Sequence, residues 1–359
     1  LTAYGLGVPA PTMSVPGTTF IVMGSTVFGS TIATAAASFT IGTGVTVRIQ
    51  APSVLTVDTG MNLINNGTVT VEGTSSTGGT LRFIGSGTMM GTSPMYQSPM
   101  SVLEYSGTNV IRSSSAIEFP SPMPATVVVD ENVTVGLDGN KTLQSALVLG
   151  GLMDIRGRSL TLQGRLDLRG AFIADGVSDM LIGMNGALSE PISGALRIAT
   201  NVLRNFTLDR LGAVVPLGSP LLIQNGLSLA RGVLRSDTTN YPIIVNTSYS
   251  AVQGGNDSSF VEGPLERYFP VNILGGGSGS WLFPMGRGAR YLPFTLVDPR
   301  TGGDAPLLRV EAFSGSPGGT LDGTLSSAGQ GEYWNVRLRA GDHTQSRAEL
   351  GRFGSFAQP

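Results

Sequence analysis

His343 is the only histidine in the chain, so any Ser-His-Asp triad would have to use it. It lies in the polar stretch Gly341-Asp342-His343-Thr344. Asp342 is its neighbour in sequence and is therefore poorly placed to orient the imidazole. We expect His343 to be an exposed turn residue and predict no catalytic residue in the chain. One histidine and no cysteine do not supply the ligands of a usual zinc site.

A run of alternating charges is the second place where chemistry could occur. Paired carboxylates hydrolyse glycosidic bonds, and β-helical folds host polysaccharide lyases and hydrolases. The alternating positions could place several of these charges on one exposed face, one turn apart. We favour the other interpretation, a solvated face with salt bridges between turns, because the mixture of signs predicts pairing. The charged residues are Asp154, Arg156, Arg158, Arg165, Asp167 and Arg169.

Two acidic stretches are candidate calcium sites, and one glycine run is a candidate phosphate loop. Asp175 with Asp179, and the loop with Asn256 and Asp257, lack the D-x-D-x-D-G spacing of a calcium loop. Residues 275–279 lack the Lys-Ser/Thr pair of a phosphate loop and are interpreted as a hinge. We therefore predict polar loops here, with neither a metal nor a cofactor.

These residues must be positioned by short strands that restart every few positions. Val45 to Glu72 shows the pattern most clearly, with β-branched or aliphatic residues at alternate positions and Gly, Asn or Pro between the runs. The runs restart too closely for helices to fit between them. This pattern predicts a β-solenoid or a β-sandwich. The four runs are 45–49, 54–57, 62–64 and 68–71.

Composition supports an all-β protein with a core. The chain has 359 residues, 51 of them glycine, with 41% hydrophobic and only 13% charged residues. The formal net charge of −2 suggests neither a nucleic-acid partner nor an anionic membrane surface. Without cysteine there are no disulfides, and no apolar run approaches the roughly 20 residues of a membrane span.

The pattern changes along the chain and predicts three segments. Residues 1–18 are rich in Pro and Gly and are predicted to form an extended arm. Residues 19–259 are predicted to form the solenoid. Residues 260–359, with more aromatic and arginine-bearing strands, are predicted to form an antiparallel sandwich. The chain begins at Leu1, and we expect a mature product whose signal was removed; the alternative is an artificially shortened chain.

A set of short strand and turn motifs occurs in a fixed order along the chain. The motifs are at 65–71, 103–107, 118–120, 160–162, 205–208, 260–265, 283–286, 291–296 and 332–336. This ordered set resembles the β-strand-repeat surface and secreted proteins of Bacteroidota, many of them exported by the type IX system. The resemblance implies a right-handed parallel β-helix followed by a β-sandwich, outside the cell, in a structural or adhesive role. Asp237-Thr238-Thr239 is similar to the O-glycosylation pattern of that group, which implies a glycan on Thr238.

Two functions are predicted. The first is a non-enzymatic extracellular structural protein, a subunit that assembles with copies of itself head-to-tail into a surface filament, with the arm and the C-terminal domain in the contacts. The second is a cell-surface adhesin or carbohydrate-binding or carbohydrate-active protein that recognises surface glycans, with Tyr105 and Trp281 as candidate surface aromatics.

Overall fold

The computed structural model describes residues 2–4, 12–29, 37–186, 190–275, 278–318 and 331–351. The chain divides into two compact units. The first unit comprises Leu1–Ile173 with Glu190–Gly194, and the second comprises Ala174–Ser189 with Ala195–Pro359. The predicted hinge at 275–279 includes residues 276 and 277, which lie outside the described residues.

Nine of the described strands form one parallel sheet in the first unit. Each strand pairs with the strand one turn further along the chain, which is the ladder of a β-solenoid. In sheet order the strands are β1 (Thr2–Tyr4), β4 (Ser25–Gly29), β7 (Val54–Val57), β10 (Thr80–Ile84), β13 (Val102–Ser106), β15 (Thr126–Val129), β18 (Leu147–Leu149), β21 (Leu166–Leu168) and β24 (Ile192–Gly194).

The other strands of the first unit stack in parallel in the same way. One group is β2 (Thr12–Met13), β5 (Ala37–Ile41), β8 (Met61–Asn65) and β11 (Thr88–Gly91). A second is β3 (Thr19–Val22), β6 (Thr46–Ile49), β9 (Thr68–Val71) and β12 (Met95–Tyr96). A third is β14 (Val110–Ser113), β16 (Val133–Gly136), β19 (Leu152–Asp154) and β22 (Ala171–Ile173), and β17 (Lys141–Leu143) pairs with β20 (Ser159–Leu162).

The core of the first unit contains rows of stacked side chains, and each turn adds one residue to a row. Strand residues alternate between the two faces of a sheet, so every second residue of each run points inward. In register along the nine-stranded sheet, Leu55, Leu81 and Leu103 are fully buried. Val127 and Leu147 continue the same row. Each apolar side chain is therefore covered by its neighbours in the turns before and after it.

The second unit also begins with parallel strands. Two 15-residue strands dominate it and pair with each other through register shifts. The strands are β23 (Asp179–Ile182), β25 (Val202–Pro216), β26 (Leu221–Arg235), β27 (Pro242–Ile244), β28 (Val252–Gly254), β29 (Ser259–Glu262) and β32 (Met285–Arg287), with a 3-10 turn at Tyr249–Ala251.

Antiparallel pairing appears in the rest of the second unit. The order β30–β35–β36 forms one set and β31–β34–β37 the other, and β33 pairs with β32. Phe269, Trp281 and Phe283 pack together in the core. The strands are β30 (Leu265–Tyr268), β31 (Ser280–Phe283), β33 (Arg290–Tyr291), β34 (Phe294–Thr301), β35 (Leu307–Ser314), β36 (Glu332–Ala340) and β37 (His343–Leu350).

The predicted all-β class, a parallel β-solenoid followed by antiparallel sandwich-like sheets, is confirmed. The right-handed coiling and the boundary at 260 stay predictions. Within the predicted arm, Thr2–Tyr4 and Thr12–Met13 are short strands paired in parallel with β4 and β5. In the described part of the chain, no helix has the length and apolar character that crossing a membrane requires.

Candidate functional site

His343 begins β37 and does not lie in a turn. Its Nε2 atom is 3.1 Å from the hydroxyl oxygen of Ser346, and its backbone pairs with Thr301. Burial lowers the pKa of the half-buried imidazole. The prediction of an exposed turn residue is therefore wrong, because antiparallel pairing with β34 carries this polar stretch into a sheet.

Four of the six alternating charges of the first unit form salt bridges within single turns. Arg156 donates to Asp154 at 2.6 Å, and Arg169 lies 3.3 Å from Asp167. Charges of opposite sign therefore pair, but the partners are two residues apart in sequence, so these two salt bridges do not join successive turns as predicted. Asp154 ends β19 and Asp167 lies in β21, which belong to different sheets, so the structure does not collect these charges on one face.

The two acidic stretches are occupied by contacts within the chain. Asp179 accepts hydrogen bonds from the guanidinium of Arg204 and from Asn205. Asp175 accepts a hydrogen bond from the hydroxyl of Ser178 at 2.6 Å, and Asn256 Oδ1 accepts one from a nearby backbone amide. Across the described ranges, no three or more His, Cys, Asp or Glu side chains converge as metal ligands would.

Tyr105 and Trp281 are core residues, so the prediction of surface aromatics is wrong for both. Tyr105 is 0% exposed and donates to Glu118 at 3.1 Å. Trp281 is 2% exposed, and its indole N–H donates to the carbonyl of Thr247 at 2.9 Å. Each aromatic therefore buries its ring and satisfies its polar atom inside the protein.

Tyr105 belongs to a buried ionic cluster at the centre of the first unit. Arg112 donates to Glu118 at 2.6 Å and to the carbonyl of Gly87 at 2.8 Å. The guanidinium lies 4.8 Å from the ring centroid of Tyr105 and 5.1 Å from that of Phe83. Burial raises the pKa of Glu118 from its usual value, and Arg112 opposes this rise. The two charges neutralise each other inside the unit, although Arg112 Nε has no hydrogen-bond partner among the described residues, and the arrangement is that of a structural ion pair.

A groove of about 540 Å³ crosses the nine-stranded sheet of the first unit. Three of its polar side chains are already engaged: the hydroxyl of Ser106 donates to Asp130, and Arg169 pairs with Asp167. The rest of the lining is two glycines, the valines Val128, Val129 and Val148, and the polar residues Thr108 and Glu131. The groove therefore presents few groups that could orient a ligand.

The second unit carries a cleft whose lining residues are all charged or polar, which we call the arginine cleft. It encloses about 300 Å³, at the small end of ligand pockets. Directly opposite residues of paired strands share a face, and β35 and β36 place Arg309 opposite Arg337 and Glu311 opposite Asn335. Its lining residues are Thr238, Arg309, Glu311, Asn335, Arg337 and Arg339.

A buried carboxylate, that of Glu266, lies beside two arginines of the cleft. Glu266 pairs with Arg309 across β30 and β35 and is 2% exposed. Its Oε1 atom lies 3.8 Å from Arg309 and 3.6 Å from Arg339, beyond hydrogen-bond distance, and has no hydrogen-bond donor among the described residues. Burial raises the pKa of both Glu266 and Glu311, against the nearby arginines.

Arg309 is held in place by an aromatic ring. Its guanidinium lies 4.4 Å from the ring centroid of Tyr241, a cation–π contact. Arg337 is positioned by a hydrogen bond of 3.2 Å from its Nε atom to Asn335 Oδ1. The cleft thus combines three guanidinium groups with two carboxylates and can bind an acidic group together with hydrogen-bond donors.

Thr238, the predicted glycosylation site, lies at the arginine cleft. Asp237 next to it accepts hydrogen bonds from the side chain and backbone of Asn240 and of Thr239, which hold its pKa well below the usual range. The side chain of Thr238 is exposed. A glycan at this position stays a prediction.

Sequence reasoning noted the arginines of this region but missed the cleft. The available signal was the alternation in Asn335-Val336-Arg337-Leu338-Arg339, because alternate residues of a strand share a face. The contribution of Glu266 carries no such signal, since β30 and β35 are separated by 38 residues of sequence between Tyr268 and Leu307.

Comparison with known proteins gives no relative for this chain: no family model, no curated protein and no solved structure matches it.

Proposed function

We propose that this chain is a non-enzymatic extracellular structural protein that assembles with copies of itself, head-to-tail, into a surface filament. The observation that carries the proposal is the exposed edge strand β36 in the second unit. The location at the cell surface and the kinship with Bacteroidota β-strand-repeat proteins rest on the sequence resemblance.

The apolar face of β35 continues onto β36, where it is exposed to solvent. Val310 and Leu308 on β35 are buried, and their partners on β36, Val336 and Leu338, are 40% and 49% exposed. In the described part of the chain, β36 hydrogen bonds on one side only, to β35. Unpaired backbone groups beside exposed apolar side chains favour the addition of another strand.

β37 provides a second exposed edge strand, in a different sheet. It ends the order β31–β34–β37, and most of its eight residues are exposed, including Leu350. We propose that β37 of one copy adds to β36 of the next. Two different surfaces that meet in this way make a head-to-tail contact, which gives a filament when the rotation between copies does not close a ring.

The described part of residues 1–18 is already bonded within its own chain. Thr2–Tyr4 pairs with β4, and Thr12–Met13 pairs with β5. The proposal therefore places the contact between copies on the second unit and assigns the stacked turns of the first unit to the body of each subunit.

The non-enzymatic part of the proposal is supported by the positions of the groups that could do chemistry. His343 hydrogen bonds to Ser346, and Asp154 and Asp167 pair with arginines two residues away. Glu118 is sealed inside the first unit by Arg112 and Tyr105. These contacts support a structural role for the side chains.

Negative-stain electron microscopy and sedimentation velocity of the full chain over a range of concentrations test the assembly. We expect ordered fibres from the wild-type chain and their loss in the double variant Val336→Lys/Leu338→Lys, because lysine on an edge strand disfavours strand addition.

The matched control is Ile111→Lys, which makes the same kind of change at an aliphatic residue that is 86% exposed on β14. It should leave the fibres intact. A wild-type chain that stays monomeric at the highest concentration, or a double variant that assembles like the wild type, would contradict the proposal.

A second candidate function, a cell-surface carbohydrate-binding protein, is favoured by one feature. The arginine cleft offers charged and polar groups that converge on a space of about 300 Å³.

A further inference from the structure

We infer that the arginine cleft binds an acidic saccharide, with the arginines on the sugar carboxylate and Glu311 on its hydroxyl groups. The inference deepens the second candidate function, carbohydrate binding, and does not depend on filament assembly.

The cationic groups of the arginine cleft outnumber its carboxylates. Arg309 and Arg337 face each other across β35 and β36, and Arg339 follows on the same face of β36. Glu266 and Glu311 supply two negative charges beside these three positive ones. Guanidinium groups bind carboxylates with two parallel hydrogen bonds, so a ligand carboxylate would balance the remaining positive charge.

The carboxylate of Glu266 leaves the arginines available to a ligand. Its Oε1 atom is inaccessible to solvent and accepts no hydrogen bond from the described residues, although two arginine side chains of the cleft lie 3.6 Å and 3.8 Å away. At these distances Arg309 and Arg339 are not hydrogen-bonded to Glu266, so their N–H groups can donate to a ligand carboxylate.

A saccharide differs from simple anions because it carries hydroxyl groups that can donate hydrogen bonds. Glu311 lines the cleft beside the arginines and accepts no hydrogen bond from the described residues. An anion such as sulfate has no donor for this carboxylate. A uronic acid carries one carboxylate and several hydroxyl groups on one ring, so it can satisfy the arginines and Glu311 together.

Tyr241 positions Arg309 in the absence of a ligand. Its ring lies under the guanidinium of Arg309, and Glu266 lies opposite Arg309 on the adjacent strand β30, so the half-buried arginine is held in place before any ligand arrives. A preformed arrangement reduces the entropy lost on binding.

The test is calorimetric titration of the full chain with a trimer of galacturonic acid. We expect the acidic trimer to bind, and a neutral galactose trimer to give no signal at the same concentrations. Inorganic sulfate and a triglutamate peptide should bind at least about tenfold more weakly, because neither offers the hydroxyl donors.

Arg337→Gln should raise the Kd for the acidic trimer about tenfold, since it removes charge-assisted hydrogen bonds at an exposed position. The matched control Arg347→Gln changes the net charge equally on β37, where Arg347 pairs with Glu349 away from the cleft lining. It should leave the Kd unchanged within about twofold.

Three results would overturn the inference: no binding of the acidic trimer, equal binding of sulfate or triglutamate, or a Kd that Arg337→Gln leaves unchanged. In the last case the chain would bind carbohydrate through another surface, and carbohydrate binding as a function would stand without the arginine cleft. Fibre formation in the same samples reports separately on assembly.

Discussion

At the scale of single residues, the buried ionic cluster of the first unit shows how a charge is kept inside a β-solenoid. Arg112 contacts Glu118, the carbonyl of Gly87 and two aromatic rings. A buried charge that loses its partner keeps its desolvation cost without compensation. The contribution of each residue of the cluster to the free energy of unfolding therefore depends on the other residues.

Glu118→Gln is expected to lower the free energy of unfolding by about 3 kcal/mol, because it leaves the Arg112 charge buried and unpaired. Urea denaturation measures the effect. Glu104→Gln, which removes the partner of the more exposed Arg82, should cost no more than about 1 kcal/mol. Equal losses from the two variants would show that burial does not set the strength of these pairs.

Asp237 provides a pH test at the same scale. Its pKa is held well below the usual range by hydrogen bonds from Asn240 and Thr239. A depressed carboxylate pKa stabilises the fold above the unfolded value of about 3.9, and this contribution is lost only as the pH falls through the lower, folded pKa. NMR titration of the Asp237 carboxyl carbon should therefore show an ionised group below pH 3.9, the ordinary value.

The variants for this titration are adjacent in sequence. Thr239→Val removes a hydroxyl that donates to Asp237 at 2.7 Å and should raise the pKa of Asp237 toward its ordinary value. Thr238→Val is the control, since the hydrogen bonds to Asp237 come from Thr239 and Asn240. A carboxyl that titrates near 3.9 in the wild-type chain would refute the turn geometry.

At the scale of elements, the stacking of turns in the first unit depends on glycines where backbones approach closely. A Cβ atom on Gly164 would lie 1.6 Å from the carbonyl oxygen of Ser145 in the preceding turn. No rotamer of a larger residue avoids this contact, because the clash is with backbone and begins at Cβ. The glycine is required by the distance between turns, not by an unusual backbone conformation.

Gly164→Ala should therefore lower the free energy of unfolding by roughly 2–3 kcal/mol, since the turns must separate locally. Gly139→Ala is the matched control in the same unit, where a Cβ atom would meet nothing within 4 Å, and it should change stability by less than about 0.5 kcal/mol. Thermal or urea unfolding distinguishes them, and a neutral Gly164→Ala variant would contradict the close stacking.

At the scale of the whole molecule, the two proposed activities use opposite faces of β36 and should respond oppositely to salt. Val336 and Leu338 lie on the face proposed for self-association, and Arg337 and Arg339 line the cleft. Raising the salt concentration from about 0.05 M to about 1 M should weaken binding of the acidic trimer, because the screening length shortens from about 14 Å to about 3 Å.

Fibre formation should persist or increase over the same range, since apolar contacts are not screened and salting-out anions strengthen them. Sedimentation and calorimetry on the same samples measure both quantities. Fibres that dissolve at high salt would indicate that charge, not the apolar face of β36, holds the copies together.

Sequence periodicity alone determined where the strands lie and which residues of a strand share a face. Alternation at every second residue predicted strands at 45–49 and 160–162, and the structure buries Val47 and Ile49, and Leu160 and Leu162, on one side of each. The shortness of the runs and the Gly and Asn between them excluded helices, so the all-β class followed from local properties of the chain.

The tertiary structure alone decided which faces meet and which are covered. Tyr105 and Trp281 were predicted at the surface and are buried, because period 2 separates two faces without showing which one meets the core. The arginine cleft depends on the register that sets Arg309 opposite both Glu266 and Arg337. That register is fixed by pairing between strands far apart in sequence, and no local pattern of residues encodes it.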